Sequence, residues 1–110
     1  MHDFADCVIR VTKTDHDFTF RQIAVLMICA REDNPAERQV LKLAASLEKP
    51  RPIISRAADR LVEAGLAVRS ELPNDRRTCV ISVTPDGRRF ISHILGESAK
   101  RSRLKDPLAA

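Results

Sequence analysis

Apolar residues recur every third or fourth position along the first part of the chain, and every second position after Gly65. That change of period sets the expected architecture. Thr19 and Gln22 have the spacing of a capping box, in which each side chain satisfies the other's orphan backbone N–H, and Phe18 and Ile23 flank it as a hydrophobic staple. The stripe Ile23, Leu26, Met27 and Ala30 then predicts an amphipathic helix over about residues 20–32. Asn34 as cap, Pro35 at the first position and Glu37 as its box-like partner start a second helix over about 35–47, which buries Val40, Leu43, Ala44 and Leu47. Two prolines within Glu48–Pro52 interrupt it, because proline cannot continue a helix and restricts the residue before it. A third helix follows over about 52–64, with Ile54, Ala57, Ala58, Leu61 and Val62 as its apolar face and Gly65 as a left-handed stop. Ahead of all three, Cys7–Thr12 fits either a brief strand or a helical turn.

Beyond Gly65, Ala67–Glu71 and Thr78–Thr84 read as two strands, the second with Cys79, Ile81 and Val83 on one face. The stretch Leu72–Arg77 between them consists of turn-forming and charged residues. Thr84 and Pro85 then open a last helix over about 85–103, with Phe90, Ile91, Ile94 and Leu95 as its apolar set. Two short helices joined by a tight break and followed by a hairpin describe a winged helix-turn-helix. The expected fold class is mainly α with a small β-hairpin (α+β). An N-terminal arm over 1–18 precedes the winged unit at 19–84, and a C-terminal helix and basic tail occupy 85–110.

Composition adds limits rather than new elements. A chain of 110 residues has room for one compact domain. With four Phe and neither Trp nor Tyr, its core rests on aliphatic residues and Ala, which suits closely packed helices. No apolar run approaches the roughly 20 residues of a membrane span. The opening MHDFADCVIR does not read as a secretory signal, so the expected location is cytoplasmic. Cys7, Cys29 and Cys79 are too few and too scattered for a zinc site or a disulfide framework, and are expected to be reduced thiols. Cys7 has no cationic helix start beside it to favour a thiolate, which argues against a redox role. His2, His16 and His93 have no neighbours at the spacing of a triad, a metal site or a phosphate loop. No enzyme site, cofactor or metal is expected.

Charge is more informative. The first 48 residues carry a net −2 and the remainder a net +6, so a polyanion would be drawn to the second half. On the third helix the face away from the core presents Ser55, Arg56, Asp59, Arg60 and Glu63. Ser55, Arg56 and Arg60 are candidates to face a DNA major groove, where arginine can bind guanine through two hydrogen bonds, and Arg51 sits where a flanking phosphate would lie. The alternative for this stretch is a solvated face whose arginines pair with its own acids. The third helix also lacks Ser, Thr, Asp or Asn at its start, so a phosphate could satisfy its first N–H groups. In the hairpin turn, Arg76 and Arg77 repel one another and cannot serve a core. A narrow minor groove accepts such an arginine, and Asp75 is placed to hold Arg77 by a charge-assisted hydrogen bond. The alternative here is an ordinary charged turn.

The stretch from Phe18 to Leu95 resembles the multiple-antibiotic-resistance regulator (MarR) family of winged-helix repressors. The residues that carry the likeness are Leu43-Ala44, Ile54-Ser55-Arg56 with Leu61, and Gly65-Leu66-Ala67-Val68-Arg69. They continue in Pro73-Asn74-Asp75-Arg76-Arg77 and Val83-Thr84-Pro85-Asp86-Gly87. The resemblance implies a homodimer on double-stranded DNA, formed through residues 1–18 and the last helix, with Arg77 in the minor groove and Asp75 orienting it. Family members usually have longer helical regions at both ends, which frame an effector pocket; a small-molecule effector is left open here. The basic tail Lys100–Lys105 is either a phosphate contact or a solvated end. Two other functions fit the same fold. One is a winged-helix protein-interaction module, the other an architectural DNA binder without sequence preference.

Overall fold

The computed structural model describes residues 3–72 and 75–96, with the backbone alone for 75–77. The chain runs through α1 (Phe4–Lys13), α2 (Phe20–Arg31), a 3₁₀ turn (Pro35–Arg38), α3 (Val40–Leu47) and α4 (Arg51–Glu63). It continues through β1 (Ala67–Leu72), β2 (Asp75–Val83) and α5 (Pro85–Ile94). The fold is α+β, a winged helix-turn-helix: α3 and α4 form the helix-turn-helix and the antiparallel β1–β2 hairpin is the wing.

Helix starts follow the side-chain caps. Thr19 and Gln22 form the full capping box of α2, with Gln22 N–H donating to Thr19 Oγ1 at 3.1 Å and Thr19 N–H to Gln22 Oε1 at 2.8 Å. The stripe of α2 is rotated from the expected one. Val25, Leu26 and Cys29 are buried, while Ile23 and Met27 flank them half-buried, because α2 is covered from more than one side. The undecided N-terminal segment is a helix: the Asp3 carboxylate accepts from Ala5 N–H at 3.1 Å and caps α1, whose Cys7 and Val11 pack against the core.

The second helix departs from expectation. Asn34 does cap, accepting from Ala36 N–H at 3.0 Å, but Glu37 does not complete a box, because Asn34 N–H donates to Glu32 Oε1 instead. The turn it opens is 3₁₀ and stops at Gln39, whose extended backbone bridges to Val80 of β2. That long-range pairing breaks the helix in two. Val80 is also as buried as its neighbour Ile81, although strand alternation turns the two to opposite faces of β2.

The core gathers Leu26, Leu43, Ile54, Leu61, Ile81 and Ile94 at its centre. Burying each such Leu or Ile contributes roughly 1.5–3 kcal/mol. α4 packs chiefly on α2 and α3 through Ile54, Ala57, Ala58 and Leu61. Its end is a left-handed stop at Gly65 (φ +80°), with Leu66 N–H donating to Leu61 carbonyl oxygen at 3.0 Å. The buried thiol of Cys29 is pushed up to about 11 by desolvation, against a smaller opposing pull from Arg38. Cys7 and Cys79 are half-buried, and all three cysteines are free.

The wing ladder runs in register from Ala67↔Val83 to Glu71↔Cys79, then shifts before Leu72↔Asp75. β2 therefore begins at Asp75, earlier than the sequence pattern implies. α5 ends at Ile94, well short of the expected 103. Gly96 lies in the left-handed region (φ +79°), and Arg10 of α1 donates from NH1 to Ile94 carbonyl oxygen at 3.3 Å, capping the helix end from outside. The tail Lys100–Lys105 lies outside the described residues.

One junction holds wing, α4 and α5 together. Thr84 N–H donates to Leu66 carbonyl oxygen at 3.0 Å, and Thr84 Oγ1 donates to Gly65 carbonyl oxygen at 2.7 Å while accepting from Gly87 N–H at 3.0 Å. A Cβ on Gly87 would stand 2.2 Å from Leu66 carbonyl oxygen and 2.6 Å from Val83 Cγ1, so only glycine permits this approach. Gly87→Ala should therefore destabilise the fold by about 1–3 kcal/mol, the usual cost of overpacking. Urea unfolding measures this, and a wild-type midpoint would contradict the close approach.

Candidate nucleic-acid interface

Packing decides which face of α4 is free. With Ile54, Ala57, Ala58 and Leu61 turned inward, Arg51, Pro52, Arg56, Asp59 and Glu63 are exposed and Ser55 is half-buried at the edge. Among the described residues neither Arg51 nor Arg56 forms an ion pair. The arginine–acid pairs along α4 that would make this a merely solvated face are therefore not formed.

α4 begins one residue earlier than expected. Pro50 is its cap and Arg51 its first residue, and no side chain caps its N–H groups; α3 likewise starts without a side-chain cap. Between these two helix starts and the wing lies a cleft of about 750 Å³, bordered by Gln39, Leu41, Arg51, Ser55, Arg69 and Cys79 among others. Arg51 and Ser55 thus share one concavity, while Arg56 stands on the exposed side of α4.

Arg60 is placed elsewhere. Its guanidinium carbon lies 5.3 Å from the centroid of the Phe18 ring, on the flank of α4 that faces the aromatic cluster of His16, Phe18 and Phe90. This cation–π contact is a second use for an arginine expected to join Ser55 and Arg56 toward a groove. The side chains of Asp75, Arg76 and Arg77 lie outside what the structure describes.

Arg69 joins this face without being among the expected site residues. From β1 its NH2 group donates to Ser55 carbonyl oxygen (2.8 Å), Ser55 Oγ (3.1 Å) and Asp59 Oδ1 (2.6 Å), and its NH1 approaches Cys79 Sγ at 2.9 Å. One guanidinium therefore spans α4 and both strands of the wing. Desolvation alone would lower its pKa, but the hydrogen bonds and charge attraction of Cys79 and Asp59 outweigh it and raise the pKa above the ordinary arginine value. A signal was present. Ala67 is buried, so strand alternation puts Arg69 on the same, helix-facing side, where an arginine must find acceptors.

A cavity of about 580 Å³ lies under α1 and the start of α2, lined mainly by apolar side chains with Cys7 at its wall. Beside it Phe4 and Phe20, each 71% exposed, meet with ring centroids 6.1 Å apart. Among the described residues no cluster of His, Cys, Asp or Glu is arranged to hold a metal, and no helix is long and apolar enough to cross a membrane.

Fold and interface together define a winged helix-turn-helix with a basic, outward-facing second helix. The MarR family model matches residues 16–78, and the chain belongs to that family. None of the curated proteins compared with the sequence matches it. Among solved structures, the transcriptional repressor CouR, bound to a 23-mer DNA duplex, is 27% identical, with a TM-score of 0.70 and coverage of 96% of this chain and 72% of that one. RV1404 from Mycobacterium tuberculosis is 26% identical (TM-score 0.71, 82% of this chain and 59% of that one). YusO from Bacillus subtilis, at 24% identity, shares the fold (TM-score 0.71, 92% and 69%). The chain spans less than two-thirds of the length of the M. tuberculosis protein.

The uncapped start of α4 yields a direct check. Arg51→Asp would place a negative charge in the first turn, which favours the helix by about 0.3–1 kcal/mol, and would repel a phosphate there. The melting temperature should hold or rise while affinity for duplex DNA falls about tenfold or more, as expected when a cationic phosphate contact is replaced by an anion. Unchanged affinity in a fluorescence-anisotropy titration would contradict a phosphate site at this helix start.

Proposed function

We propose that this protein is a sequence-specific, double-stranded-DNA-binding transcriptional regulator that acts as a homodimer. The observation that carries the proposal is the outward face of α4, where Arg51 and Arg56 are exposed and engage no acid among the described residues. A helix of this size fits a major groove, and arginine and serine are suited to base edges and phosphates. Membership of the MarR family and likeness to a repressor bound to a DNA duplex, at 27% identity, support the same reading.

In this proposal Ser55 and Arg56 read the major groove, and Arg51 and the N–H groups of the α4 start hold a phosphate. The wing carries Arg76 and Arg77 to the minor groove, with Asp75 orienting Arg77, as the family resemblance implies. Arg60, whose guanidinium lies over the Phe18 ring, stands at the edge of this face and completes the set of arginines toward the duplex. A second copy of the chain would cover the exposed apolar side chains Phe4, Ile9 and Phe20 at α1 and the start of α2. Arginine-to-phosphate contacts make the affinity strongly salt-dependent.

Selection from random duplex DNA at near-physiological salt, followed by sequencing of what is retained, tests the proposal. The expected result is an enriched inverted repeat whose half-sites lie about one helical turn apart, the spacing of helix-turn-helix dimers. Retention without enrichment would contradict sequence specificity and favour an architectural binder. No retention would contradict DNA binding and favour a protein-interaction module.

A further inference from the structure

The outward face of α4 carries a group that works against its proposed task. Asp59 lies one helical turn beyond Ser55, its side chain is 60% exposed, and a bare carboxylate there would repel the phosphates of an approaching duplex. Arg69 answers it from the wing, with NH2 2.6 Å from Asp59 Oδ1. This is more than a loose surface pair. The Arg69 side chain is only 29% exposed and is held in place by Ser55 of α4 and Cys79 of β2, so little further entropy is lost in keeping it at Asp59.

We propose that Arg69 is a positioning residue that neutralises Asp59 on the DNA-facing side of α4 and so makes that face acceptable to a duplex. The inference rests on the DNA-binding function proposed above. It assigns Arg69 no contact with DNA: its NH2 group already has three acceptors for two hydrogens, and its NH1 faces Cys79. Two other roles for Arg69 give different outcomes. A direct phosphate contact, or a purely mechanical strut between wing and helix, would be lost with the guanidinium whatever stands at position 59.

The test is a mutant cycle over R69Q, D59N and the double variant R69Q/D59N. Affinity is titrated against the duplex that wild-type protein retains from random DNA and against a shuffled duplex of equal length, over a range of salt. R69Q exposes an unbalanced carboxylate and should bind the retained duplex about tenfold or more weakly, in the range of measured effects of interfacial charge. R69Q/D59N restores neutrality and should return to within about threefold of wild type, a coupling of the size seen for residues in contact. D59N alone leaves Arg69 with uncancelled charge, so it should bind the shuffled duplex more tightly, with a salt slope steeper by up to about one unit.

Wild-type affinity in R69Q, or a double variant as weak as R69Q, would overturn the proposal. If R69Q does not fold, D59N decides alone, because it removes a charge without disturbing the packing; an unchanged salt slope would then overturn it. Failure of the wild-type protein to bind either duplex would instead overturn the DNA-binding function, and this proposal with it.

Discussion

The packing of α4 against α2 and α3 is the constraint on which the rest depends. Ile54, Ala57, Ala58 and Leu61 occupy one side of the helix, and their burial fixes its rotation about its own axis. Everything exposed on α4 follows from that rotation. Arg51 and Arg56 face solvent because Ile54 and Leu61 cannot, and Gly65 ends the helix where the wing must leave it. A register error of one residue would turn Ser55 inward and Ile54 outward. At roughly 1.5–3 kcal/mol for each large aliphatic side chain, the core outweighs any single surface contact on the opposite face.

Two polar junctions then convert a rotated helix into an oriented pair of elements. At the far end of α4, Thr84 joins Gly65, Leu66 and Gly87, so the return strand of the wing and the start of α5 are anchored at one point. Along the helix, Arg69 ties Ser55 and Asp59 to the wing. Hydrogen bonds to charged groups contribute about 1.5–3 kcal/mol each, less where the group is partly exposed. Their larger effect is geometric, since helix and hairpin are held as one unit. In the proposed complex that junction sets α4 and the described part of the wing in one relation to the duplex.

Local chemistry was legible in the sequence and long-range contact was not. Thr19–Gln22, Gly65 and Thr84 announce their helix boundaries through hydrogen bonds to residues a turn away, and the apolar stripes of α3 and α4 are buried apart from Leu47 and Val62, which are half-buried at the edge of the core. The errors arise where a distant residue intervenes. Val80 stops the second helix at Gln39, and Arg10 meets the end of α5. Of the candidate site residues, Arg51, Ser55 and Arg56 lie on the outward side of α4, as the helical period implies. Arg69 escaped notice because a strand arginine looks like ordinary surface until its alternation with buried Ala67 is considered.

The proposal that the outward face of α4 reads base pairs turns on Arg56. It is tested most directly by comparing wild-type protein with Arg56→Ala on a set of duplexes that each change one base pair of the preferred site. Arg56→Ala should lose about 1–3 kcal/mol of discrimination at one position in each half-site and keep it elsewhere, the signature of a lost bidentate base contact. A uniform loss over all duplexes, or no loss, would contradict it.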